Sequence, residues 1–399
     1  MLPDVGPVGR SPVNREPVIR GRNPAARWSG WVLPALLAAA TACAPAPEAA
    51  PLGEGEGEVG IPTFKVDPWW PPPLPENWVL GPAAGLAVDS RDHVWIVSAP
   101  EELSAGERGA VLDPPIATCC SPAPPLMELD PEGNVVQTWD GSSAGEEWPA
   151  FPHGLFVDHR DNVWIGSYTQ HQVLKFTRDG KHLFTIGELG GTGGSHDPTR
   201  LGTPAGIWVD PETNEAFIAD GYINRRIAVF DGDTGEFLRQ WGAYGEAPDD
   251  EYTHPDRGAD LPPSRQFGTA HGILGSNDGL LYLADRRNNR IQVFRKDGEF
   301  VQERIIAPAT LASGSAFDIA LSPDPEQRFL YLADGTNHKI WVLLRDGLEV
   351  VNEFGRGGRQ AGQLLRPHNL DTDSKGNLYL TEAGNLRVQK FLIQPPGGR

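Results

Sequence analysis

The sequence predicts an all-β fold, a closed ring of six blades, and three observations carry that reading. A unit of short strand-like runs recurs six times, starting at residues 85, 154, 206, 272, 318 and 369. The steps between those starts, 69, 52, 66, 46 and 51 residues, suit four strands per unit plus two insertions. Glycine and proline are frequent, 47 and 38 in 399 residues, which favours many turns and few long helices. One such unit would leave both faces of its sheet bare, whereas six in a ring cover one another.

Ahead of the repeats, residues 1–42 have the order of an export signal. Arg10, Arg15, Arg20, Arg22 and Arg27 precede a short apolar run from Trp31 to Ala40, and small residues lead to Cys43. The run holds Pro34 and is shorter than the ~20 residues a bilayer span needs. Ala40-Thr41-Ala42-Cys43 resembles a bacterial lipoprotein cleavage box, which would place a lipid on the Cys43 sulfur. Ordinary cleavage after Ala42, leaving Cys43 free, is the other reading. Both put the protein outside the cytoplasm, as a cell-envelope lipoprotein or a secreted protein, with an N-terminal lipid as its one expected hold on a membrane. Residues 43–63 read as a flexible acidic tether, 64–394 as the propeller and 395–399 as a tail.

Within the ring, a first run such as Gly154-Leu155-Phe156-Val157 is followed by a second such as Tyr282-Leu283-Ala284-Asp285. A third, such as Arg290-Ile291-Gln292-Val293-Phe294, comes next. Turns such as Arg178-Asp179-Gly180 and Lys296-Asp297-Gly298 separate them. The long steps place insertions at roughly 100–124 and 246–266, as rim loops. The last unit has only three strand runs before Ile393-Gln394, so Asn77-Trp78-Val79-Leu80 is expected to add its outer strand and close the ring. Cys119 and Cys120 are either two thiols in a proline-rich loop or a vicinal disulfide. The charge, 34 basic against 53 acidic residues or −19, argues against a nucleic-acid partner. A monomer is expected.

One register position carries the chemistry. The residue before each innermost-strand motif is Ala84, His153, Ala205, His271, Phe317 or His368. Innermost strands line the channel of a propeller, so these positions lie on a ring about its axis. The three histidines fall in alternate blades, roughly 120° apart, and can converge on the axis. Three neutral imidazoles with a fourth position open are the shell of a catalytic zinc ion. The competing reading is three channel histidines bonded to water or strand carbonyls. His93, His159, His171, His182, His196, His254 and His338 lie in turns or variable positions and receive no role. After the second run, Asn224, Asn289, Asn337 and Asn385 and the basic residues Arg226, Arg290, Lys339 and Arg387 recur, which marks them as scaffold. Tyr222 and Arg286 do not recur. A tyrosine beside the metal could act as general base, and an arginine could hold a substrate carboxylate.

The segments Ile218-Ala219-Asp220-Gly221-Tyr222-Ile223-Asn224-Arg225-Arg226-Ile227 and Leu283-Ala284-Asp285-Arg286, with the histidine trio, resemble the peptidyl-α-hydroxyglycine α-amidating lyases among the NHL-repeat propellers. The likeness covers about 77–394. It implies a zinc tripod of His153, His271 and His368, a catalytic Tyr222, an active-site Arg286 and a structural calcium on the carbonyls of Leu86 and Leu155 and the side chain of Asn369. The implied activity is carbon–nitrogen cleavage of an α-hydroxyglycine-type amide, from a peptide or small molecule, to the amide and glyoxylate. Three positions depart from the family. Its blade-one arginine meets Ala99, its methionine two places before the last zinc histidine is Arg366, and its calcium aspartate is Asn369. Arg108 and Arg366 are the arginines available to replace the missing one. A non-catalytic surface scaffold that binds a protein or glycan through its rim loops is the alternative from another class.

Overall fold

Six four-stranded antiparallel sheets stand around a central channel in a computed structural model that describes residues 60–141, 148–149, 151–255 and 262–394. Cys43 and the expected signal segment, most of the tether and the tail lie outside these residues. The innermost strands are Ala83–Val88, Pro152–Val157, Ile207–Val209, Ala270–Gly275, Asp318–Leu321 and Pro367–Thr372. Each packs on the next, and that of blade six packs on that of blade one, so the ring is complete.

The burial of each strand follows from its distance to the axis. Second strands such as Val94–Ser98 and Phe329–Asp334 are buried at every residue because neighbouring blades cover both faces. Outer strands such as Val135–Trp139 and Phe237–Trp241 are half covered, since one face meets solvent at the rim. Large side chains fill the joints between blades, with Trp95 and Trp139 in one and Phe217, Trp241 and Phe294 in another. The glycine that opens four of the six motifs has a cause. A Cβ on Gly85, Gly154 or Gly206 would lie within 2.4 Å of the neighbouring strand's carbonyl oxygen, at His153, Ala205 and His271 respectively. The channel is that tight.

The ring is closed by an N-terminal strand, although by a different stretch from the one expected. Thr63–Asp67 pairs antiparallel with the last strand, Arg387–Gln394, and supplies the fourth strand of blade six. It begins one residue before the boundary expected at 64. Phe64 packs on Tyr331 and Phe354 of blade five, so the strand is half-buried on its blade-facing side. Trp78–Val79 instead makes a short parallel pair with Ser121–Pro122 of the blade-one insertion. That insertion lies between Val94–Ser98 and Leu126–Leu129 as expected, and in it Cys119 and Cys120 are joined as a vicinal disulfide.

The recurring turn residues are scaffold. Arg226, Arg290 and Arg387 each bond the acidic residue that ends the preceding strand, Asp220, Asp285 and Glu382, at 2.7–2.9 Å. Asn224 and Asn385 bond Asp220 and Glu382 from the turn, and Asn337 bonds the equivalent Asp334, whereas Asn289 donates to the Thr310 carbonyl instead. Lys339 departs from the pattern and pairs with Glu353, leaving Asp334 to Asn337 and the Trp341 indole.

Candidate metal centre

The innermost strands of blades two, four and six each carry a β-bulge near their start, and there the strand turns its histidine into the channel. The three rings meet. His153, His271 and His368 have centroid separations of 4.9, 5.0 and 5.3 Å, close to an equilateral triangle, and are all buried. Their nearest nitrogens lie within 4.8 Å of one another. Two rings are fixed from behind. His271 Nδ1 donates to the Phe317 carbonyl at 2.6 Å, and His368 Nδ1 faces the Ala84 carbonyl at 3.0 Å and Asn369 Oδ1 at 2.6 Å. Each Nε2 is thereby left with its lone pair toward the hub. His153 Nδ1 is buried without a partner at hydrogen-bonding geometry.

Burial holds all three imidazoles neutral. It depresses His153 and His271 well below the ordinary imidazole range and His368 to about 4, and the neighbouring Arg286 charge acts in the same direction on each. Neutral imidazoles at one point suit a borderline-soft divalent cation, so the donor set fits zinc.

Tyr222 stands over the trio. Its hydroxyl lies 3.0 Å from His153 Nε2 and 3.0 Å from His271 Nε2, and Arg286 Nη1 donates to it at 2.9 Å. Burial pushes the Tyr222 hydroxyl above the usual phenol range, while the charge and hydrogen bond of Arg286 pull it down. Arg286 is itself buried, with Nε on the Ser313 carbonyl and its guanidinium between the Tyr222 and Phe317 rings. The two non-recurring residues singled out in the sequence thus meet each other as well as the metal centre.

A cavity of about 390 Å³ opens above the trio, bordered by His153, His368, Tyr222 and Arg286 and by Tyr168, Phe151 and Arg366. Tyr168 was missed in the sequence. Its ring lies 4.9 Å from that of Tyr222 and 5.8 Å from that of His153. The signal was present in the register, because Tyr168 follows the second strand of blade two as Arg286 follows that of blade four. Ala99 holds the same place in blade one and is wholly buried. Arg108 does not border the cavity.

The implied calcium set fits less well. Leu86, Leu155 and Asn369 do line one small cavity in the channel. Asn369, however, commits its amide at both ends, Oδ1 to His368 and Nδ2 to Asp318 Oδ2 at 2.9 Å. The carboxyl groups in that space belong to Asp318 and Asp371, raised by burial to about 7 and about 6. An oxygen-seeking cation in that space would also meet those two acids, which the sequence reading did not include.

The second group of potential ligands among the described residues, Asp89, His93 and Glu128, already contains its cation, since Arg178 pairs with both acids.

Fold and hub define a class, the six-bladed propeller with a three-imidazole centre. Homologues of the chain are peptidyl-α-hydroxyglycine α-amidating lyases, peptidylglycine α-amidating monooxygenases and NHL repeat proteins. It is 43% identical over 288 residues to the peptidyl-α-hydroxyglycine α-amidating lyase 2 of Drosophila melanogaster, covering 67% of this chain and 63% of that protein. Lyase 1 of the same fly is 29% identical over 285 residues, covering 67% and 48%. Mouse NHL repeat-containing protein 3 is 24% identical over 354 residues, covering 83% and 84%. The chain spans 34%, 48% and 26% of three of the relatives it matches, the Xenopus laevis monooxygenase B, fly lyase 1 and the mouse monooxygenase. No protein-family profile matches it. A crystal structure of a Bacteroides thetaiotaomicron protein of unknown function shares the fold, with a TM-score of 0.50 at 14% identity, covering 79% of this chain and 70% of that one.

Proposed function

We propose that this chain is an exported, zinc-dependent carbon–nitrogen lyase that cleaves an α-hydroxyglycine-type amide to the free amide and glyoxylate. The observation that carries the reading is the hydroxyl of Tyr222 poised on two of three converging imidazoles, with Arg286 on the same oxygen. His153, His271 and His368 would hold the zinc, whose Lewis acidity would favour loss of a proton from the substrate's α-hydroxyl. Tyr222 takes that proton as general base. The α-carbon then forms its carbonyl double bond as the carbon–nitrogen bond breaks, and the proton returns through Tyr222 to the departing amide nitrogen. Atoms balance without an oxidant. Arg286 supplies the positive charge that favours the anionic form of the phenol against the effect of burial. Phe151 and Tyr168 add aromatic walls to the cavity in which the substrate would sit.

The test is direct. Zinc-loaded protein incubated with a peptidyl α-hydroxyglycine should release glyoxylate in step with the peptide amide, and His271→Ala should lower both bound zinc and product. Stoichiometric zinc with no glyoxylate would exclude this substrate class, and protein that binds no zinc would leave the scaffold reading.

A further inference from the structure

The cavity over the metal centre has a charge pattern unlike the rest of the molecule. The chain carries 53 acidic residues against 34 basic ones, yet among the described residues no carboxylate borders this cavity and two arginines do. The two are differently employed. Arg286 is buried and spends Nη1 on Tyr222 and Nε on the Ser313 carbonyl, with Phe317 stacked beneath it. Arg366 is exposed, and its guanidinium has no hydrogen-bond or ion-pair partner among the described residues.

The backbone of Arg366 is held in place on both sides. Its N–H bonds His338 Nδ1 at 3.0 Å, and its carbonyl accepts from Ala383 N at 3.2 Å. Its φ is 56°, a left-handed conformation shared by Phe151 and Thr203 at the same register of blades two and three, so the turn is part of the scaffold and fixes where the side chain starts. Two residues on, the same strand delivers His368 to the metal centre. A fixed backbone, a side chain without internal partners and a border on the cavity are the marks of a group kept for a ligand.

Resting on the lyase reading above, we infer that Arg366 is the specificity-determining residue that receives the substrate's carboxylate, from the blade-six side, while Arg286 serves as the positioning partner of the Tyr222 hydroxyl. The replacement for the blade-one arginine then comes from across the ring. Ala99 needs no charge, because the carboxylate lies toward blade six.

Full-length, zinc-loaded protein tests this with two probes that lack the α-hydroxyl and cannot turn over, N-acetylglycine and N-acetylglycinamide. Calorimetry should show the wild type preferring the acid. Arg366→Met should lower affinity for the acid by about five- to tenfold and leave the amide nearly unaffected, the size expected of one partly exposed charge-assisted contact. Arg366→Lys should recover part of the preference. Arg286→Met, if its melting temperature shows it folded, should keep the acid preference. A wild type without preference, an undiminished preference in Arg366→Met, or a preference that disappears only with Arg286 would each overturn the assignment. The outcomes separate from those of the lyase reading. Glyoxylate release together with an unaffected Arg366→Met sinks only this inference, whereas a lost preference with no glyoxylate from any hydroxyglycine sinks only the reaction.

Discussion

Tyr222, His153 and His271 form one hydrogen-bonded unit with the His368 ring beside it, yet the tyrosine and the histidines are expected to fail separately. Tyr222→Phe removes only the hydroxyl that touches His153 Nε2 and His271 Nε2, and the imidazoles keep their supports at the Phe317 and Ala84 carbonyls. The variant should therefore hold as much zinc as the wild type by elemental analysis while losing turnover by about 10²–10⁴, the usual contribution of a positioned acid–base group. Parallel loss of zinc and activity would instead make Tyr222 a ligand or a support of the hub. At this scale the sequence was informative where residues share a register. The histidine positions could be read by aligning six motifs, since the innermost strands repeat the same path to the axis. The bonds of Asn369 were not legible, because they depend on two neighbours that no spacing reveals. Asp318 comes from the adjacent blade and is 51 residues away, and the amide bridges it to His368.

Joints between blades depend on buried pairs, and one of them gives a pH signature remote from the hub. Lys296, in the turn after Arg290–Arg295 of blade four, bonds Asp210 at the end of the innermost strand of blade three, at 2.8 Å. Burial alone would raise Asp210, but the Lys296 and Thr213 hydrogen bonds outweigh it and hold the carboxyl below its usual 3.8. A depressed folded pKa means stability that is present above the unfolded value and lost as pH falls through the folded one. Lys296→Met should thus cost about 1 kcal/mol at pH 7, and the difference from wild type should shrink below about pH 3.8 in denaturant titrations. A gap that stays constant down to pH 3 would assign the effect to packing of the lysine stem on Trp208. Second strands were legible as elements because they hold unbroken apolar runs, such as Val94–Val97 and Leu280–Ala284. The closing strand was not. Thr63–Asp67 alternates Phe64 and Val66 with polar residues, the weak pattern of a half-exposed outer strand, whereas Trp78-Val79-Leu80 is a denser apolar run. Density suggested the wrong partner, since a short run that packs under a loop can look more strand-like than a rim strand.

At the scale of the whole molecule, the ring makes an N-terminal strand of five residues part of the blade that carries His368. Blade six contributes His368, and its outer edge is covered by Thr63–Asp67 alone. That strand also seats Phe64 between Tyr331 and Phe354, so it joins blade five to blade six as well as completing blade six. Without it, the strand Arg387–Gln394 would be an unpaired edge, and the contacts of the half-buried Phe64 would be lost at a cost of about 1–2 kcal/mol. Against a typical total of 5–15 kcal/mol, that loss together with the missing ladder is a large fraction of stability. A chain beginning at Pro68 should therefore aggregate or melt broadly, whereas one beginning at Gly60 should unfold in a single transition. Phe64→Ala in the intact chain provides the graded version. It should lower the melting temperature by several degrees and, because the damage falls on the blade that carries His368, weaken zinc retention during heating before global unfolding. If the chain beginning at Pro68 instead melts like the longer one and retains its zinc, the other five blades hold the sixth without help, and the hub owes nothing to the N-terminal strand.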